Sequence, residues 1–505
     1  MPSVLFSPAV ERFEIDFFVD GLPLYKSSRT QFWPILMGIH NLPNAPVMTV
    51  AIFCGESKPL YAEEYLGQFV EEMNELQRVG IVIGKRHYTV HLRSIIADSP
   101  ARAFIKGVKS HNAYSACMKC TIITERDGSR LYFPYGAPCE SRLHGLFCED
   151  KYPDHKIHIT PLVRLDQCDI ICDIVVAEAM HLFYKGVMCK LLILWTEGFR
   201  DLGCKMTRRQ QRELSAHLRS LKLPSDFQRK LRDLQYVKLW KASEFKMLLH
   251  VPGFVVLKGR INNAAYQHFM LLFVAVTLLS TSYHRAKWEL ANTLLHRFVK
   301  DYGTVYSPVL LNSNVHNLLH AYEDVHRFGE LRTISAEKYE AKLHDIKQLV
   351  HSGRNSLVQA ANRLQELWQV EYARPGCSSA GREEQSVRPV GSDTVATVRH
   401  GFMLRKNFRD QWCMTNLGDV VMYETATKSG PNVTVHGYTF SNQVPAFTEP
   451  CSSAELNIYA ASMDDLDTVT LQHYPSSTLM CKLAAVETEN PGEYVFVPLP
   501  HTYLQ

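Results

Sequence analysis

The chain has 505 residues, 46% of them hydrophobic and 21% charged, enough apolar side chain for roughly two or three domains and too apolar for a disordered chain. Against 55 Lys and Arg stand 51 Asp and Glu, a formal charge of +4, which excludes a global polycation coating nucleic acid or anionic lipid and leaves room only for a local basic patch. The thirteen cysteines are scattered, no signal-type leader is read at the start, and the longest apolar run, residues 270 to 279, is about half a bilayer span. A reduced intracellular protein with no membrane partner is expected.

In chain order, the first predicted elements are three strands: FEIDFFVD at 13 to 20, QFWPILMGI at 31 to 39 and VMTVAIF at 47 to 53. A helix follows, because Leu66, Phe69, Val70, Met73 and Leu76 recur at helical spacing and Gly80 stops it. A fourth strand, YTVHLRSIIA at 88 to 97, delivers Asp98, and PARAFIKGV starts a second helix with Pro100 in its first turn. Three strands, helix, strand, helix is the order of the ribonuclease-H-like (RNase H-like) fold, an antiparallel meander crossing by a helix to a parallel fourth strand. The expected fold class is an α/β core of this kind with a mixed sheet, its first part at residues 1–108.

Residues 109–330 read as a long, mainly α-helical insertion. TRRQQRELSAHLRSL carries a Thr207/Gln210 capping box and a Leu214, Leu218, Leu221 stripe; SDFQRKLRDLQ repeats the logic from Ser225 to Gln228; and 265 to 298 is largely apolar and helical. Helical signal returns at 331–372, the Pro, Gly and Ser-rich stretch 373–395 reads as a linker, and short apolar runs between turn residues predict a small β-rich module at 396–505.

Two apolar strands that each end in Asp, adjacent in the expected sheet, make half of a Mg²⁺ or Mn²⁺ site, because hard divalent cations take anionic oxygens and a metal pair can activate both oxygens of an in-line phosphodiester displacement. Asp20 and Asp98 are those residues; either alone is as well explained as a turn or helix cap, and Asp16 shares the strand parity of Asp20 and competes with it. A second set joins Cys117 and Cys120, spaced CxxC, to His316 and His320, spaced HxxxH, which together supply the four ligands of a tetrahedral structural Zn²⁺. Each half alone is more often a redox-silent pair or a solvated helix face; together they would clip the two ends of the insertion. Residues 205 to 246 hold twelve basic and four acidic residues, a local +8, so Arg208, Arg209, Arg212, Arg219, Arg229 and Lys230 are candidates for contacting DNA phosphates, against the ordinary alternative of a solvated helical face.

The stretches VDGLPLYKSSRTQFWPIL, GESKP, ADSPARAFIKGVKSHNAYSACMKC, EAMHLFYKGV, WKASEFKMLLH, NVHNLLHAYEDVHRFG and SAEKYEAKLHDIKQLVHSGR, in this order, resemble the catalytic region of CACTA-type (En/Spm) DDE transposases, over residues 13 to 370. The resemblance implies a nuclear enzyme of DNA transposition and recombination. Asp20, Asp98 and Glu340 would be its catalytic acids on two Mg²⁺ or Mn²⁺ ions, the Cys/His set its zinc ligands, double-stranded DNA (element ends and target) its substrate, and a homodimer or higher oligomer its working form. The V(D)J recombinase catalytic subunit is similar in the CxxC and HxxxH pairs. The family's DxMH motif stands here as Glu178, Ala179, Met180 and His181, so His181 and Glu178 are possible site residues, with a half-buried helix histidine as the alternative for His181. Glu337 and Glu244 compete with Glu340 for the third acid. Only twelve residues precede Phe13, too few for the family's end-recognition module, so either the chain is a fragment of a longer one or it has lost that module; the alternative function is a transposase-derived DNA-binding or regulatory protein without catalysis.

Overall fold

The computed structural model describes residues 10–26, 28–199, 202–373, 385–391 and 393–504. Its first sheet is built from β1 (Arg12–Val19), β2 (Leu22–Pro23), β3 (Gln31–Ile39), β4 (Met48–Gly55), β5 (Ile81–Ile83) and β6 (Arg86–Ala97), with helix α1 (Ala62–Val79) between β4 and β5 and α2 (Ser99–Lys106) after β6. The order is β2-β3-β1-β6-β5, with β4 also on β3. β1 and β3 are antiparallel, β3 and β4 antiparallel, and β1 and β6 parallel. The apolar stripe of α1 that the periodicity picks out is the buried one: Leu66, Phe69, Val70 and Met73 join Phe17, Ile95 and Ile105 in one core, with Phe17 stacked on Phe69 at 4.4 Å.

Register fixes what the two central strands deliver. In the parallel pair Asp16 lies opposite Ser94, Phe18 opposite Ile96 and Val19 opposite Ala97, so both strands stop at the same rung and Asp20 and Asp98 follow it side by side. The face carrying Phe18 is covered by helix α3 (Glu337–Gln348), whose Tyr339 ring stacks on Phe18 at 4.8 Å. That contact brings the next residue, Glu340, over the same end of the sheet.

Asp16 does not share this role. Fully buried, it accepts from Arg93 Nη1 at 2.5 Å and Ser94 Oγ at 2.7 Å, and Arg93 donates onward to the Phe328 carbonyl and to Thr333 Oγ1. Arg93 therefore ties β6 and β1 to the segment leading into α3. Arg93→Met, which leaves the buried carboxylate with Ser94 and with Lys338 at 4.0 Å, is expected to cost about 3 kcal/mol, read as a lowered denaturant midpoint.

The chain divides into two compact units, Met1–Leu182 with Pro308–Ala380 and Phe183–Ser307 with Gly381–Gln505. This differs from the sequence-based partition, in which 109–330 forms one insertion and 396–505 a separate module. The reason lies in long-range polar contacts. Phe133 N–H donates to the Leu311 carbonyl inside the first unit, whereas in the second the buried Lys482 ammonium is shared by Asp226 at 2.6 Å and Asp410 at 2.8 Å. The same contacts explain why no helix forms at Ser225–Gln228: Ser225 is bonded by its N–H and hydroxyl to Asp410, and Asp226 to Lys482 and His501, so the capping side chains are used elsewhere.

The second unit otherwise contains the helices Arg208–Ser220, Ala242–His250, Asn263–Leu279 and Trp288–Val305, an eight-stranded sheet and a three-stranded one. The expected linker lies partly outside the described residues, and the part described holds the strand Ser386–Val390 and the start of Asp393–Arg399. Among the described residues no helix is long and apolar enough to cross a membrane.

Candidate metal centres

Asp98 is the N-cap of α2: its Oδ1 accepts from the Ala101 N–H at 2.8 Å, so the bland reading of this residue is realised. Asp20 Oδ1 accepts from the Gly21 N–H at 2.7 Å. Neither bond consumes a whole carboxylate. The Asp20 carboxyl is pushed up from 3.8 to about 7, by burial first and then by the negative charges of Asp98 and Glu340, against the pull of the Gly21 N–H and of His181. Three carboxylates thus share one electrostatic neighbourhood at the end of β1 and β6, an all-oxygen donor set of the kind that Mg²⁺ or Mn²⁺ takes.

His181 is the fourth member. It is the second residue of a π-helical segment, Met180–Met188, and its Nε2 stands 3.6 Å from Glu340 Oε1. The opposite ring nitrogen, Nδ1, meets Glu178 Oε2 at 2.7 Å. Glu178 is 1% exposed and also accepts from the N–H groups of Met180, His181 and Ala336. Burial would raise the Glu178 carboxyl, but His181 and these backbone donors outweigh it and hold it below the usual value. An ionised Glu178 therefore fixes the ring of His181 with Nδ1–H toward itself and Nε2 toward Glu340, and through Ala336 it also anchors the start of α3.

Of the competing third acids, Glu244 is spent: it is bound by Arg232 at 2.7 and 2.6 Å and belongs to the second unit. Glu337 sits in the first turn of α3, one turn before Glu340, and Glu340 is among the charges that raise Asp20.

The soft ligands converge more tightly. Among the described residues, Cys117, Cys120, His316 and His320 are the one group of at least three His, Cys, Asp or Glu whose ligand atoms all lie within 4.8 Å of one another. The three acids do not close to that spacing. Sulfur to nitrogen separations are 3.4 Å for Cys117 to His320, 3.4 Å for Cys120 to His316 and 3.3 Å for Cys117 to His316. Zn–S bonds of about 2.3 Å and Zn–N bonds of about 2.0–2.1 Å at the tetrahedral angle require about 3.5 Å between sulfur and nitrogen, so these three edges have the length that a shared zinc ion needs. The N–H groups of Lys119 and Cys120 point at Cys117 Sγ, each at 3.4 Å, and Phe133 stacks on His316 at 4.8 Å. His316 and His320 are not on one continuous α-helix as the spacing predicts; the chain passes from Ser313–Asn317 through a 3₁₀ turn, Leu318–His320.

Three buried basic side chains hold the cysteine loop. Lys106, the last residue of α2, donates to the Met118 carbonyl at 3.1 Å, Arg142 to the Cys117 carbonyl at 3.0 Å, and Lys119 to Asp324 at 2.9 Å. Burial opposes ionisation of Cys117, but the hydrogen bond from Cys120 and the two imidazoles outweigh it, whereas the Cys120 thiol is pushed up by its hydrogen bond to Cys117 and by burial; one thiolate, the form that binds metal, is thus favoured. Sequence reading passed over Lys106, Arg142 and the Lys119–Asp324 pair; the available signal was that Asp324 falls four residues after His320, on the same helical face.

The basic candidates lie in the second unit. Arg208, Arg209, Arg212 and Arg219 are exposed on the helix Arg208–Ser220, and Arg229 and Lys230 are exposed in the irregular segment after it. Arg209 is paired with Glu213 at 2.7 Å and Arg219 with Asp233 at 3.1 Å, which reduces the net charge these two present.

Residues 394–500 match a family described as Domain of unknown function (DUF8592). No curated protein matches the chain. The DUF8592 match covers the β-rich part of the second unit and reaches neither the acids nor the Cys/His centre.

Proposed function

We propose that this protein is a CACTA-type (En/Spm) transposase with an RNase H-like catalytic core, cutting and rejoining DNA at a DDE site. The observation that carries the reading is the register that sets Asp20 and Asp98 side by side after two parallel central strands, with Glu340 near enough for its charge to help raise the Asp20 carboxyl. The strand order β4-β3-β1-β6, antiparallel except for the last pair, supports the fold assignment, since it is the meander and parallel crossover expected of that core.

In this reading Asp20, Asp98 and Glu340 hold two Mg²⁺ or Mn²⁺ ions. Bound there, the cations supply activation of the attacking oxygen and charge stabilisation of the leaving oxygen in an in-line displacement. The chain's own residues position them: α2 fixes Asp98 by its cap bond, α3 carries Glu340, and Glu178 holds His181 with Nε2 facing Glu340. The Cys/His set takes a structural Zn²⁺. Exposed arginines of the second unit neutralise phosphates of double-stranded DNA, the substrate is element ends and target, and the enzyme works in the nucleus as a dimer or higher oligomer.

Supercoiled DNA incubated with the protein and Mn²⁺ is expected to be nicked, and Asp98→Ala to lower that activity by at least about a thousandfold while the protein stays folded. A folded Asp98→Ala variant that still cuts at the wild-type rate sinks the assignment. Among the described residues the Cys/His set, and not the three acids, forms a compact group of metal-ligating atoms, which favours a second reading, a transposase-derived DNA-binding or regulatory protein without catalysis; it predicts DNA binding with no cleavage in either protein.

A further inference from the structure

We propose that the buried Lys119–Asp324 pair is a positioning strut through which the Cys117, Cys120, His316 and His320 centre sets the place of His181 and Glu340. The inference rests on the functional reading above and adds regulation of the acid site by occupancy of the soft-ligand centre.

The two ends of the strut come from the two halves of that centre. Lys119 lies between the cysteines, and Asp324 lies one helical turn beyond His320. Lys119 is 5% and Asp324 1% exposed, with Nζ 2.9 Å from Oδ1. Two charges so far from water persist only when their geometry is matched, and here the match requires the cysteine loop and the histidine helix to be held together, which is what a shared metal ion does.

The other carboxylate oxygen points the opposite way. Asp324 Oδ2 accepts from the N–H groups of Val176 at 2.7 Å and Ala177 at 2.8 Å. These residues continue an extended segment that pairs with β6 through Ile174 and Ile95, and the next residue is Glu178. Glu178 then holds His181 and the Ala336 N–H at the start of α3, and His181 Nε2 faces Glu340. A run of polar contacts, buried as far as Glu178, therefore leads from the cysteine loop to His181, whose Nε2 stands 3.6 Å from the third acid. A second connection reaches Asp98, because α2 begins at its cap and ends at Lys106, which grips Met118 between the cysteines.

The test uses the full chain with ¹³C-labelled histidine, the His181 signal being assigned by its loss in His181→Gln. Zn²⁺ is titrated into metal-free wild type, and Lys119→Met, Lys119→Arg and Asp324→Asn are compared after zinc content and circular dichroism are measured. The expected result is that the His181 signal shifts as Zn²⁺ fills the centre. In Lys119→Met and Asp324→Asn it should stay displaced although zinc is bound, Mn²⁺ affinity measured by calorimetry should fall at least about tenfold, and Lys119→Arg should recover most of both. A His181 signal indifferent to Zn²⁺ in wild type overturns the strut without requiring any variant to fold, as do wild-type signal and Mn²⁺ affinity in folded, zinc-loaded Lys119→Met. Failure of the functional reading looks different: wild type would bind no Mn²⁺ that Asp98→Ala abolishes, while the histidine signal would still report on the strut.

Discussion

Treated with a strong chelator, the protein is expected to lose one zinc ion per chain and to melt on the order of 10–20 °C lower, a fall that corresponds to several kcal/mol for a unit of this size. Zinc binding to a preformed Cys₂His₂ set is worth about 10 kcal/mol or more in small domains, and here the ligands from Cys117 to His316 are 199 residues apart, so the metal closes a long loop as well as saturating four polar groups. The Cys117 thiol is already held well below its usual value: burial opposes this, but a hydrogen bond from Cys120 and the two imidazoles outweigh it. Cys120→Ser is expected to reproduce both losses. Melting curves that coincide with and without chelator, together with protein containing no stoichiometric zinc, would remove the structural role of the centre.

Much of this first unit is legible in the sequence because its signals are local. Alternating and continuous apolar runs mark β1, β3, β4 and β6; the stripe from Leu66 to Met73 marks α1; and Asp98 followed by Ser99 and Pro100 marks a capped helix start. The pairing of Asp20 with Asp98 follows from strand order alone. What stays hidden depends on partners far along the chain. Asp16 has the same parity as Asp20, and only the guanidinium of Arg93, 77 residues away, shows that it is structural. Ser225 to Gln228 carries a credible cap, but Asp410 and Lys482 capture its side chains. Lys119 and Asp324 are 205 residues apart, yet the four-residue step from His320 was in view. In the basic block, Arg209 with Glu213 is an i,i+4 pair that sequence exposes, whereas Arg219 with Asp233 and Arg232 with Glu244 require the fold.

Mn²⁺ affinity at the acid site is expected to fall about 30-fold between pH 8 and pH 5.5, with close to one proton released per cation bound near pH 6. An ordinary aspartate would stay ionised over that range; Asp20, raised from 3.8 to about 7 by burial and by Asp98 and Glu340, does not, so a cation must displace its proton. The same elevation fixes the sign of the stability effect. A carboxyl that holds its proton more tightly in the folded state adds stability that is complete below about pH 3.8 and is lost as pH rises through about 7. Metal-free protein should therefore weaken between pH 5 and pH 8 through this group, by roughly 1–2 kcal/mol once solvent screening at a partly exposed site is allowed for. Asp20→Asn should be more stable than wild type at pH 8 and indistinguishable from it near pH 4, while binding no Mn²⁺ at either. Saturating Mn²⁺ should raise the melting temperature of wild type at pH 8 and leave Asp20→Asn unmoved. Calorimetric affinities that are flat from pH 8 to 5.5 would mean that Asp20 is not a ligand, and the pair at the ends of β1 and β6 would then be two caps rather than half of a metal site.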